Sequence, residues 1–247
     1  MEKSISKAFT YMFKDNDWQY KMFILLLLTT PLSVMGFFQV LMFPNGKIPD
    51  GAAITYFIVL IIISVLFSFI SLGYYAKCAN NIIYSNEKST NNDLLPKWEN
   101  DFAQFPKLGL KFFLAGIFPY IAICLVLGVC ILLIPILGSI IALIMILIYS
   151  YFATALAAIF YSDYNIYSFF KLKEGRKLVS YDEKKYLQIL FIMFILSLLY
   201  GIVPALFVKP FLIVLVMPII QVYGFLVSIY LSAILFPTEP EVFFGTD

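Results

Sequence analysis

The chain of 247 residues is 62% hydrophobic and 13% charged, with a net charge of +2 and no histidine. Soluble domains hold about 45–50% apolar and about 25% charged residues, and a water-soluble globule could not hide such an apolar excess. The near-neutral charge argues against a nucleic-acid partner, and three Cys residues without a CxxC pair (Cys78, Cys124, Cys130) and without His argue against zinc or haem.

The first 21 residues mix Lys3, Lys7, Lys14 and Lys21 with Glu2, Asp15 and Asp17. Ile5, Phe9, Met12 and Phe13 form an apolar stripe at helical spacing, and Trp18 and Tyr20 suit a membrane interface. The apolar run that follows has full span length and no small-residue cleavage site, so it reads as a retained first crossing rather than a signal peptide. A spanning helix needs about 20 apolar residues. Stretches free of Asp, Glu, Lys and Arg place crossings at about 22–43, 52–76, 110–134, 137–161, 187–208 and 211–236. The third and fourth come from one run, 112–162, too long for a single crossing and punctuated by Ile134-Pro135-Ile136-Leu137-Gly138. Lipid leaves no backbone polar group solvated, so the crossings should be helical; the alternation of barrel strands is absent. The expected fold is all-α: one integral membrane domain over 1–247, a bundle of about six transmembrane helices in three hairpins with cytoplasmic interfacial amphipathic helices.

The connections after crossings one, three and five are short, while loops 77–109 and 162–186 are long and polar. Of the 17 Lys and Arg residues, fifteen fall in the N-terminal segment, in these two loops, or at Lys111 on the edge of the first. The positive-inside rule then puts both termini and both long loops in the cytoplasm of a multi-pass cell-membrane protein. A five-crossing alternative, with a re-entrant segment inside 112–162, would break this segregation. Units 1–76, 77–161 and 162–236 share a plan of polar lead-in, helical hairpin and Tyr-rich exit; a true internal repeat and shared composition both account for it.

Loop 77–109 is the most informative segment. Leu94, Trp98, Phe102 and Phe105 fall on one face at helical spacing, with Lys97, Asp101 and Gln104 off it. This predicts a short amphipathic helix in the headgroup region anchored by Trp98, or a docking surface for a partner. Three motifs here, Leu72-Gly73-Tyr74-Tyr75, Leu95-Pro96-Lys97-Trp98-Glu99-Asn100 and Gly109-Leu110-Lys111, with the early Phe13-Lys14-Asp15-Asn16-Asp17-Trp18, resemble the prokaryotic membrane family catalogued as domain of unknown function 4013. That resemblance implies a membrane architecture and no particular chemistry.

In loop 162–186, Lys171, Lys173, Arg176 and Lys177 cluster around a single acid, Glu174, after Tyr164, Tyr167, Phe169 and Phe170. Each such cation near an anionic leaflet is worth about 1 kcal/mol. Setting topology is the plain reading of the cluster; a headgroup or protein site is the sharper one. The candidate interface or lipid-contact residues are therefore Trp98, Phe102, Phe105, Lys171, Lys173, Arg176 and Lys177.

No Asp, Glu, Lys or Arg lies at mid-depth in a crossing, which disfavours an ion-driven pump. Ser64, Ser68 and Ser71, the set Gln221, Gly224, Ser228 and Ser232, and the small residues Ala153, Thr154, Ala157 and Ala158 serve either helix packing or a polar path. Pro31, Pro119, Pro204 and Pro218 predict kinks. No P-loop, dinucleotide fingerprint, HExxH or nucleophile elbow occurs. The expected function is non-enzymatic: an accessory or scaffold component, without cofactor, that docks anionic lipids or a membrane or cytoplasmic protein at the cytoplasmic face. The alternatives are a permease for a small or lipidic molecule and, third, an interfacial lipid-modifying enzyme.

Overall fold

A computed structural model describes residues 4–42, 51–85, 94–206 and 210–236. Among the described residues eight α-helices form: α1 Trp18–Met42, α2 Gly51–Tyr84, α3 Trp98–Asp101, α4 Phe105–Leu133, α5 Pro135–Asp163, α6 Leu172–Tyr181, α7 Glu183–Leu206 and α8 Pro210–Ala233. Short 3-10 turns precede α1 and α6 and join α3 to α4. Among the described residues five helical stretches are long and apolar enough to cross a membrane, belonging to α2, α3–α4, α5, α7 and α8. The fold is all-α, and the chain is a multi-pass membrane protein. The predicted short connections at 44–51 and 209–210, the Asn-rich stretch 86–92 and the C-terminal tail fall wholly or mainly outside the described residues.

The run 112–162 breaks where its punctuation predicts. Ile134 leaves the helix, and Pro135 opens α5, where a missing N–H costs nothing and a fixed φ is already helical. Phe112 packs on Phe160 and Tyr161 while Tyr120 packs on Tyr149, so α4 and α5 run antiparallel. α1, α4 and α8 continue through Pro31, Pro119 and Pro218. The side chain of Pro204 lies outside the described set.

Among the described residues, α2 packs most extensively against α4. A Cβ on Gly73 would overlap the Phe105 carbonyl, and a Cβ on Gly109 would overlap the Phe69 carbonyl. The two glycines let the backbones touch at an antiparallel crossing, the role small residues take where lipid supplies no hydrophobic drive between helices. They also account for two of the motifs: Gly73 ends the apolar part of α2, and Gly109 starts that of α4.

Helix length decides where the core sits. At about 1.5 Å per residue, the 34 residues of α2 extend about 51 Å, and the 29 of α4 and of α5 about 43 Å. A bilayer core is about 30 Å thick, so all three overhang it. The beginnings of α1, α4 and α7 and the ends of α2, α5 and α8 gather at one end, hereafter the polar end. The fully buried side chains concentrate there, over Tyr74–Ile83, Ala155–Tyr161 and Val222–Phe236. Further along, Ile58, Ile62, Leu66, Leu125, Leu143, Leu147, Phe191 and Leu198 are exposed, as lipid-facing positions should be. α2 runs eight residues beyond its predicted limit of 76 and α4 starts five before 110, because Lys77 and Lys111 bound the charge-free runs without ending the helices.

Candidate functional site

The polar end is closed by the N-terminal segment. Asp15 turns the chain into α1 by accepting the Asp17 N–H at 3.0 Å. Lys21, one turn into α1, reaches back to both carboxylate oxygens of Asp15 at 2.8 Å and to the Leu95 carbonyl at 3.1 Å. An ammonium has three protons, and here three acceptors are in place. Asp15 and Lys21 are each 2% exposed. One buried cation thus ties together the N-terminal segment, α1 and the Leu-Pro-Lys-Trp motif. In the sequence both residues read as ordinary juxtamembrane charges; the one signal there is a lysine directly before an apolar run.

Two tyrosines fasten the same segment to α8. Tyr11 Oη donates to the Leu226 carbonyl at 3.1 Å, and Tyr223 Oη donates to the Phe9 carbonyl at 3.2 Å. The Tyr11 ring lies 4.7 Å from that of Tyr230, and its hydroxyl is 3.6 Å from Cys78 Sγ. Burial, reinforced by Cys78, pushes the Tyr11 phenol well above the ordinary tyrosine range. The overhang of α2 caps α5: Asn80 Nδ2 donates to the Tyr161 carbonyl at 2.7 Å and Tyr84 Oη to that of Ser162 at 3.2 Å, filling acceptors that a helix C-terminus leaves open.

The predicted stripe does not form one helix. Pro96 and Pro106 bracket a single α-turn, Trp98–Asp101, followed by a 3-10 turn, Phe102–Gln104. The tighter winding turns Trp98 and Phe105 inward together and Phe102 outward. Trp98, only 5% exposed, stacks on Tyr74 at 4.5 Å and meets Phe105 edge-on at 5.2 Å. Phe102 is 50% exposed. Of the three aromatic candidates, therefore, Trp98 and Phe105 belong to the core of the polar end, and Phe102 alone is at its surface.

The basic candidates divide as well. Asp163 Oδ1 accepts from the Asn165 N–H and Ser168 Oγ, each at 2.9 Å, while its Oδ2 takes Lys171 Nζ at 2.8 Å, so Lys171 holds the turn that carries α5 into α6. That pair is roughly one-third exposed and contributes little to stability. α6 buries Gly175, Leu178 and Val179, with Gly175 seated on Leu156 and Phe152 of α5, and leaves Lys173, Arg176 and Lys177 exposed. Phe13, Tyr20, Tyr167, Phe170 and Tyr181 are exposed around the same end.

Within the crossings, Ser68 Oγ and Ser232 Oγ bond back to the carbonyls of Ser64 and Ser228, and Thr154 Oγ1 meets Met193 Sδ of α7. These groups serve helix structure and packing. Gly224 makes room for Tyr200, whose hydroxyl donates to the Ile220 and Gln221 carbonyls at 3.0 Å. Among the described residues no group of His, Cys, Asp and Glu could hold a metal ion.

No curated protein and no solved structure matches the chain. Residues 56–209 match the family model described as "Protein of unknown function (DUF4013)", a stretch that includes the Gly73–Gly109 crossing, Trp98 and the basic helix α6. The match takes in more than half of the chain, which therefore belongs to that family.

Proposed function

We propose that this is a non-enzymatic accessory or scaffold protein with six crossings in three hairpins, in which α1 is the first crossing, the polar end is cytoplasmic, and anionic lipid and protein partners dock on that end. The observation that carries the reading is α6, whose apolar face is fixed on α5 while Lys173, Arg176 and Lys177 point away from it. Three cations near an anionic leaflet are worth about 3 kcal/mol, and the exposed aromatics around them suit the interfacial belt. Three groups that could do chemistry are engaged within the fold: Asp15 and Lys21 bond to each other, Lys21 also to the Leu95 carbonyl, and Cys78 is buried beside Tyr11. Phe102, rather than Trp98, is the aromatic contact offered to a partner.

The test is crosslinked affinity purification in mild detergent, with proteins and lipids identified together, for the wild type and for K173Q/R176Q/K177Q with F102A. The reading expects a specific protein and anionic lipid to be lost together from the variant while the protein still folds. An unchanged set of both would refute it.

A further inference from the structure

Below α6 an apolar cleft of about 150 Å³ opens between α4 and α5. Pro119 and Ile123 of α4 and Ile148 and Tyr149 of α5 line it, and Phe169 and Leu172 roof it. A cleft of about this size has room for a benzene-sized piece of hydrocarbon. Tyr149 is the exception in the lining. It is 6% exposed, its ring packs edge-on against Tyr120 at 5.1 Å, and its hydroxyl is buried with no hydrogen-bond partner in the protein. A buried hydroxyl left unpaired is costly, so an acceptor supplied by a ligand would complete the site.

The geometry points to a seat for one acidic glycerophospholipid of the surrounding leaflet, with an acyl segment in the cleft, an ester carbonyl accepting from Tyr149, and the phosphate against Lys173, Arg176 and Lys177. Three features demand three parts of one molecule: the lining calls for hydrocarbon, the lone hydroxyl for a carbonyl, and the basic face for an anion. Their order along the membrane normal is that of a phospholipid. Gly175 rests at the level of Phe152 and Leu156, and Tyr149 is three residues, about 4.5 Å, below Phe152 on the same helix. Leu172, which closes the cleft, adjoins Lys173 in sequence and so links the apolar lining to the charged face. Lys171 is committed to Asp163 and is not part of the seat. The inference rests on the reading that α6 faces headgroups, and goes beyond it by requiring the cleft.

The experiment is native mass spectrometry of the full chain released from detergent, titrated with phosphatidylglycerol or with phosphatidylcholine of the same acyl chains. The wild type should retain one phosphatidylglycerol, preferred by about tenfold or more. Ala122 of α4 also lines the cleft; Ala122→Phe, which fills it without altering charge, and Tyr149→Phe should each lower retention, and K173Q/R176Q/K177Q should abolish the headgroup preference. Excess glycerol phosphate, which has the anion and no chains, should not displace the lipid. If A122F fails to fold, Ile148→Phe fills the cleft from the α5 side. Retention unchanged in both the cleft-filling and Y149F variants, but lost in the triple variant, would overturn the seat and leave a diffuse basic surface. Loss in none of them would overturn the seat and the surface reading together. Displacement by glycerol phosphate would show a free-phosphate site and overturn the lipid assignment.

Discussion

Lys21→Met removes the cation at the centre of the polar end. The Asp15 carboxylate, buried to the same extent as its partner, then keeps the Asp17 N–H as its remaining donor among the described residues, and the Leu95 carbonyl loses its ammonium. Removing one member of a buried pair costs about 3–5 kcal/mol, mainly because the survivor is an uncompensated charge. At about 1.4 kcal/mol per tenfold, the unfolding constant should rise by between about 100-fold and a few thousandfold. The same logic makes the double change mild: with D15N/K21M no charge remains inside, so most of the loss should be recovered. The assay is reversible unfolding with a denaturing detergent, followed by Trp98 emission in a Trp18→Phe background; these are the chain's two tryptophans. Trp98 is well placed to report, since it stacks on Tyr74 close to the loop that Lys21 holds. A K21M variant within about 1 kcal/mol of wild type, or a double variant as unstable as the two single changes summed, would refute the claim that this pair closes the polar end.

Gly73→Ala and Gly109→Ala should each destabilise by about 1–3 kcal/mol, since the new methyl meets a backbone carbonyl that cannot step aside. Gly116→Ala and Gly128→Ala, which open onto free space, should stay within about 1 kcal/mol of wild type in the same titration. Trp98→Ala should cost about 3–5 kcal/mol, whereas Phe102→Ala should leave stability within about 1 kcal/mol and weaken partner capture, separating the inward aromatic from the outward one. Because burial raises the Tyr11 phenol, its contribution to stability should be complete below about pH 10 and fall as pH rises towards its raised value. Tyr11→Phe should flatten that alkaline loss in a pH series of unfolding midpoints.

What the sequence made legible was the material the bilayer acts on. Long apolar runs, the Ile134-Pro135 break and the uneven placement of lysines are local features, and among the described residues five helical stretches over the predicted runs are long and apolar enough to cross a membrane. The helix ends were not legible, because a lysine ends an apolar run without ending a helix: α2 passes Lys77 and continues to Tyr84, where Asn80 and Tyr84 find the α5 carbonyls. Periodicity grouped Leu94, Trp98, Phe102 and Phe105 on one face because it assumed a uniform helix. Two prolines and a 3-10 turn rotate Phe102 away from its neighbours, and such a local change of pitch leaves no periodic mark. Gly73 and Gly109 stood out as motif letters, yet their reason, two backbones in contact, is a tertiary fact. So is the Asp15–Lys21 pair, whose members resemble the other charges of the N-terminal segment until Leu95 is brought against them.

The most direct test of the account is the side on which the polar end lies. In a chain stripped of its own cysteines, Lys177→Cys on α6 and Ile136→Cys at the opposite, exposed turn can be labelled with a membrane-impermeant maleimide in right-side-out and inverted vesicles. The account predicts that Lys177→Cys reacts only in inverted vesicles and Ile136→Cys only in right-side-out ones; the reverse pattern would contradict it.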